Sequence, residues 1–367
     1  MALAYFGRAW DISIYPATGP RLTVRSLVGK GEEPLHVIFN VNMMVNVFCW
    51  QAAVTIYNLS QETVLMIAPD ALSGRTPMEM GAALTLSAGY DSGFDAEANL
   101  IFSGQVLQPV WTRESVVDYT LKLRLITGLL EDTLNLCSIT QAKQTSALDT
   151  IKAICKKSER EIPIQNGGID EAAQAKLSAT VYPRAQSFHG RPFDQLKPIL
   201  RQHNLFSWLG PQGLNIRSFA KDDSAPEVTY GPPNKPGAYT GGGLTTQGLV
   251  KMTIIGTPEQ TQCGVVFRVL LDSQVYIGQT VQIAPGTNVK PFEFVYPENY
   301  RPTRNDAGVY VVIGIRHFGD NRGQGDDWFT EITGVTKGFF PEFLGAKSDT
   351  ASSHDQSRGS YGVSGSW

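Results

Sequence analysis

The chain has 367 residues, enough at about 150 residues per domain for two or three domains with full cores, and too long for a single small disulfide-stapled module. Apolar residues make up 42% and charged residues 18%, with 36 glycines and 21 prolines scattered without a period, which excludes disorder, collagen and coiled coil and favours many short strands and turns. A net charge of -3, from 31 basic and 34 acidic residues, supplies no global field for a dedicated nucleic-acid or anionic-lipid binder.

From Asp11 to Gly128 the hydrophobic period is two. Val54 and Ile56 alternate with Thr55 and Tyr57, and Leu121, Leu123 and Leu125 alternate with Lys122 and Arg124, the pattern of strands with one buried face. Turn chemistry separates the runs at Thr18-Gly19-Pro20, Gly29-Lys30-Gly31 and Gly89 to Gly93. The N-terminus lacks the basic and apolar stretches of a signal peptide, and no segment reaches the ~18 apolar residues that span a bilayer, so a cytoplasmic origin and no membrane are expected.

From about 131 to 225 the period becomes helical. Ser146 and Asp149 form a capping pair before Leu148, Ile151, Ile154 and Cys155, which predicts a helix near 146–160. Phe193, Leu196, Ile199 and Leu200 predict a second near 193–204, with Pro198 delaying its start or kinking it. A hairpin follows, Phe206 to Leu209 turning at Gly210-Pro211-Gln212-Gly213 into Leu214 to Ile216. This block carries 12 basic and 6 acidic residues within 141–221, a net +6. Residues 226–244, rich in Gly and Pro, read as a linker; β alternation returns over 245–345 at Val265, Phe267 and Val269 and at Val309 to Ile315. Residues 346–367 form a polar, Gly/Ser-rich tail. At an offset of 210 residues Gly104 falls on Gly314, Thr120 on Thr330 and Gly128 on Gly338, which points to a duplication of the β block.

Catalytic fingerprints do not occur: there is no HExxH, GxSxG or GxxxxGK[ST]. Cys49, Cys137, Cys155 and Cys263 lie too far apart for a CxxC site and read as reduced core residues. None of the five histidines stands three or four residues from another His or a Cys, and His317 reads as a core or edge histidine. The loop Asp320–Asp327 offers oxygens to a hard cation but lacks the EF-hand spacing and contains Arg322, so it reads as a solvated turn. Lys152, Lys156, Lys157 and Arg160 read as a solvated helix face, and Asp222-Asp223 lacks apolar neighbours that would raise a pKa. Catalytic, cofactor-binding and metal residues are therefore expected to be absent. In the tail Tyr361, Val363 and Trp367 fall on one side of an extended strand and are the expected interface anchors to a neighbouring subunit.

Three segments in order carry a resemblance: Ala53 to Thr63; Ile255-Gly256-Thr257-Pro258 through Val269-Leu270-Leu271-Asp272 to Gly278-Gln279; and Gly308 to Asp320 followed by Asp327-Trp328-Phe329-Thr330-Glu331-Ile332. Together they resemble the baseplate hub family of tailed phages, the late-control protein D group. The resemblance implies a mainly β fold with an α+β insertion, in which two tube-like antiparallel β-barrel domains, 1–130 and 245–345, flank a mixed α/β module. It implies a homotrimer without cofactor, a virion component assembled in the host cytoplasm, with a spike protein, a tail tube protein, a tape measure protein and other baseplate proteins as partners, and DNA only in transit. Two rivals stand beside it: a cell-wall-degrading tail enzyme, and a carbohydrate- or receptor-binding β module that would use aromatics such as Trp111 and Trp208.

Overall fold

The computed structural model describes residues 7–16, 20–26, 34–45, 49–67, 82–91, 93–129, 131, 135–210, 213–218, 227–231, 250–261, 263–284, 287–291, 308–323 and 327–336. The first block contains β1 (Arg8–Tyr15), β2 (Leu22–Arg25), β3 (Val37–Met44), β4 (Gln51–Tyr57), the short helix α1 (Gln61–Ile67), β5 (Ala83–Tyr90), β6 (Leu100–Arg113) and β7 (Tyr119–Ile126). The middle module contains β8 (Cys137–Gln141), β9 (Thr145–Ser146), α2 (Ala147–Lys157), β10 (Ile164–Ile169), α3 (Glu171–Ala179), β11 (Val181–Tyr182), β12 (Gln186–Gly190), α4 (Pro192–Gln202), β13 (Leu205–Gly210) and β14 (Gly213–Ser218). The last block contains β15 (Val228–Gly231), β16 (Val250–Gln260), β17 (Gly264–Leu270), β18 (Thr280–Ile283), β19 (Val309–Asp320) and β20 (Trp328–Thr336). The fold is mainly β with an α+β insertion, and no helix among the described residues is long and apolar enough to cross a membrane.

The local rules act as the sequence dictates. Ser146 caps α2, its hydroxyl accepting from the Asp149 N–H at 3.0 Å, and Ile151, Ile154 and Cys155 fill the core below. α4 differs from expectation: it starts at Pro192, whose missing N–H costs nothing in the first turn, and continues past Pro198 to Gln202. The strength of its buried stripe, Phe193, Leu196, Ile199 and Leu200, outweighs the one hydrogen bond that Pro198 removes. The helices α1 and α3, of 7 and 9 residues, span too few turns to announce themselves by period.

The two β blocks are one 13-stranded sheet, ordered β18-β15-β16-β17-β20-β19-β3-β4-β7-β6-β5-β1-β2 and joined where Gly314–Asp320 of β19 pairs with Ile38–Met44 of β3. This corrects the picture of two separate antiparallel barrels. Among the described residues the first block ends in an open edge at β2, and the pairings of the second return to β18 only through two parallel contacts, β15 with β16 and β15 with β18. β15 also corrects the linker: Val228–Gly231 is a fully buried strand. Its partners lie more than 20 residues away, so the turn-rich stretch that follows hid it.

The blocks repeat each other. β3-β4-β7-β6-β5 and β16-β17-β20-β19-β18 have the same order in chain and sheet, and both central hairpins carry a one-residue bulge at the same place, at Leu107 of β6 and Ile313 of β19. Aligned on the bulges, Leu121 falls on Thr330, Leu123 on Ile332, Ile56 on Val269, Val54 on Phe267 and Leu84 on Val281, all buried. The uniform offset of 210 is therefore wrong. It sets buried Leu121 on half-buried Glu331, and a slip of one residue reverses every face of a strand. The loops between strands differ in length, so no single offset fits. The flanking strand also differs, β1 running antiparallel to β5 whereas β15 runs parallel to β18.

Both β blocks share one apolar core, and the middle module has its own, built on Leu148, Ile151, Leu177, Leu196, Leu214 and Ile216. The junction of the blocks is pinned by Trp328, which stands edge-on to Phe39 at 5.1 Å between centroids and donates its indole N–H to the Gly89 carbonyl at 3.0 Å.

Candidate functional site

Where β17 leaves the sheet, a polar chain is buried. His317 and Thr330 are cross-strand partners facing inward; the Thr330 hydroxyl lies 2.8 Å from His317 Nδ1 and accepts from the Asp272 N–H at 2.9 Å. The Asp272 carboxylate accepts from the Tyr230 hydroxyl and the Gln274 N–H, each at 3.0 Å. Burial pushes the His317 imidazolium down to about 4, with the Asp272 charge opposing it in part, and burial, reinforced by Asp272, pushes the Tyr230 phenol up. Thr330 separates the imidazole from the carboxylate. His317 is thus a core histidine satisfied at Nδ1, neutral at pH 7, and it lies inside β19 rather than at its end.

Beside it lies a cavity of about 320 Å³ where all three modules meet, lined by Trp50 and Ile101, by Trp208 and Arg217, and by Tyr276 and Ile277. The Arg217 guanidinium lies 4.6 Å over the Tyr276 ring, and Tyr276 donates to Glu227. Burial, followed by Glu227, pushes the Tyr276 phenol up to about 12. The aromatics that suggest a carbohydrate platform are spent in packing: Trp208 is buried and stacked on Phe206, and Trp111 stacks on Tyr119 at 5.3 Å.

The opposite face of the sheet is a polar wall that runs unbroken across the block junction. Paired residues of adjacent strands share a face, which gives one row from Arg268 through Glu331, Arg316 and Asn42 to Gln51, and a second from Phe318 through Asn40 and Ala53 to Arg124. Arg268 is bound to Glu331 at 2.7 Å, Lys122 to Glu114 at 2.6 Å, and Arg316 donates to the Asn40 amide oxygen at 3.0 Å. The wall is polar and amide-rich; Arg268 and Lys122 are paired with acids, whereas Arg316 is held by the neutral Asn40 amide and Arg124 adds a further positive charge.

The structure places the remaining sequence candidates as follows. The Asp320 end of the 320–327 loop is a structural seat: His36 Nε2 meets Asp320 at 2.8 Å, Arg8 donates to the Asp320 and Gly323 carbonyls, and Asn321 bonds Val37 and Leu35. Gln324 to Asp326 lie outside the described residues. Lys152, Lys156, Lys157 and Arg160 are exposed. Among the described residues no group of three His, Cys, Asp or Glu side chains could hold a metal ion. Asp222, Asp223 and the interface anchors Tyr361, Val363 and Trp367 lie outside the described residues. Arg8, Tyr230 and Asp272 escaped the sequence reading because their partners are 40 or more residues distant; an acid ending the apolar run Val269-Leu270-Leu271 was the available signal.

Burial pushes the Cys155 thiol up to about 12 and raises that of Cys137. Iodoacetamide at pH 7.5 is expected to leave both unmodified in the native chain and to alkylate both in guanidinium, as read by peptide mass spectrometry. Rapid native labelling of either would contradict the packing of the middle module.

No protein-family model and no curated protein sequence matches the chain. Among solved structures it is similar to a tail protein from Neisseria meningitidis, with 12% identity and a TM-score of 0.48 over 91% of this chain and 98% of that one. It is likewise similar to a 43 kDa prophage tail protein from Shewanella oneidensis, at 11% identity and a TM-score of 0.48 over 89% and 98% of the two chains. A third likeness is to an Escherichia coli component of the type VI secretion system, at 9% identity and a TM-score of 0.44 over 83% and 75%.

Proposed function

We propose that the chain is a structural hub of a phage tail baseplate, a non-enzymatic protein that joins tail tube to central spike as a trimeric ring and encloses the path of tape measure and DNA. The observation that carries the reading is the internal repeat, two like blocks joined edge to edge into one sheet whose outer face is a polar wall. A protein repeating the same block supplies two units of a ring per chain, so three chains give six similar units. The wall suits passage. A densely basic lining would hold DNA by its phosphates; here Arg268 and Lys122 are paired with acids, Arg124 and Arg316 add only a modest positive excess, and much of the rest is Asn, Gln, Ala and Thr. The order of the hub-like segments in the sequence supports the same reading, and spike, tube, tape measure and other baseplate proteins are the partners it names.

The test is removal of the gene from the phage or prophage that carries it. Electron micrographs are expected to show heads without complete tails, restored by the gene supplied in trans. Infectious particles with normal tails would overturn the reading.

A further inference from the structure

The seam between the middle module and the β blocks is closely packed in one place and open in another. The β13–β14 hairpin turns Phe206, Trp208, Asn215 and Arg217 to one face, as their cross-strand pairing requires, and Phe206 and Trp208 enter the core of the β blocks. Phe206 sits so near Gly278 that a Cβ there would lie 2.3 Å from its ring. Two residues along β13, at Trp208, the same seam opens into the cavity of about 320 Å³. At about 30 Å³ per water the space holds roughly ten waters, a size typical of small-molecule sites, which favour the meeting points of domains.

The unpaired polar atoms around this cavity are donors. His317 and Trp208, 1% and 6% exposed, both line it. The Thr330 oxygen lies 2.8 Å from His317 Nδ1 and already accepts from the Asp272 N–H, and the Asp272 carbonyl stands 3.5 Å away. The Thr330 hydroxyl proton therefore goes to Nδ1, which leaves the ring proton on Nε2. Neither that Nε2 nor Trp208 Nε1 has a partner among the described residues, and neither is sealed in protein, so the cavity is what they face. Arg217 adds the charge. Its guanidinium lies 4.6 Å over the Tyr276 ring, it forms no ion pair with any described residue, and its Nε is enclosed without a hydrogen-bond partner. Glu227, the acid on the far side of Tyr276, is engaged by the Tyr276 hydroxyl. A half-buried cation and enclosed N–H groups without acceptors are costly, and an anionic acceptor in the cavity offsets that cost.

We propose that this cavity is a binding site for a small apolar monocarboxylate, with its carboxylate on Arg217, its apolar body against Trp50, Ile101 and Ile277, and Trp208 and His317 supplying N–H groups to acceptor oxygens. A single guanidinium matches a single charge. Glu97, exposed at the mouth, opposes a second one and so disfavours phosphates. Because the walls come from all three modules, a bound acid ties them together and stabilises the folded chain. The proposal goes beyond the hub reading and does not depend on it.

Calorimetric titration of the full chain with 3-phenylpropionate tests it. The acid is expected to bind once per chain with a Kd below about 1 mM and to raise the melting temperature. The neutral amide of the same shape, 3-phenylpropanamide, should bind at least about tenfold more weakly. Arg217→Gln should lower the affinity for the acid to that for the amide and leave the amide unaffected, whereas a merely structural loss would weaken both. Ala98→Trp, at an exposed position of the mouth, should block both compounds at an unchanged melting temperature. Full affinity for the acid in Arg217→Gln would overturn the proposal. So would equal binding of acid and amide by the unsubstituted chain, or no binding of the acid at about 10 mM, whether or not the variants fold.

Discussion

Trp328→Ala is expected to lower the stability of the chain by about 3–5 kcal/mol, the usual cost of emptying a large aromatic site in a core. The side chain is 3% exposed and holds the two β blocks at one point: it packs edge-on against Phe39 of β3, carries the Arg8 guanidinium 5.9 Å from its ring centroid, and satisfies the Gly89 carbonyl of β5. Its loss leaves a cavity and an unpaired carbonyl at the junction. Because β3 and β19 share one sheet and one core, the loss should shift a single cooperative urea transition. Two resolved β transitions in the unsubstituted chain, or a Trp328→Ala loss below about 1 kcal/mol, would show that the blocks are independent barrels after all.

Acid should destabilise the fold through His317. Burial holds its folded-state pKa at about 4, below the ~6.5 of an exposed histidine. Between those values the unfolded chain binds a proton that the folded chain refuses, so stability is full above about pH 6.5 and falls as the pH drops toward 4, by roughly 3 kcal/mol for this one group. His203, pushed down by burial and then by Lys176, acts in the same direction. Urea midpoints measured from pH 7.5 to 4.5 should fall, and His317→Gln should flatten the slope even where it costs stability at pH 7. A slope unchanged by that substitution would mean that His317 is not the group responsible.

The parts of the fold that were legible in the sequence are those written in local pattern. Leu121, Leu123 and Leu125 in strict alternation, the Ser146 cap and the apolar stripe of α4 each specify their element without help from distant residues. What escaped was set by contacts between residues far apart. β15 is four residues long and takes its partners from 250–253 and 281–283, so nothing in Val228–Gly231 itself distinguishes it from linker. The repeat was visible, but its register was not, because bulges and unequal loops change the offset from strand to strand. The fusion of two blocks through β19 and β3 depends on an edge pairing across some 270 residues, for which alternation carries no signal. The buried Tyr230–Asp272–Thr330–His317 chain escaped for the same reason, and the local sequence beside Phe318 left His317 as a core or edge histidine until its partner Thr330 placed it in the core.

Electron cryo-microscopy of the assembled chain tests the central claim most directly. The account predicts a ring of three copies and six like β blocks, with Asn42, Gln51, Arg124 and Arg316 facing an open central channel. A compact two-fold dimer, or a ring in which this polar wall faces outward, would contradict it.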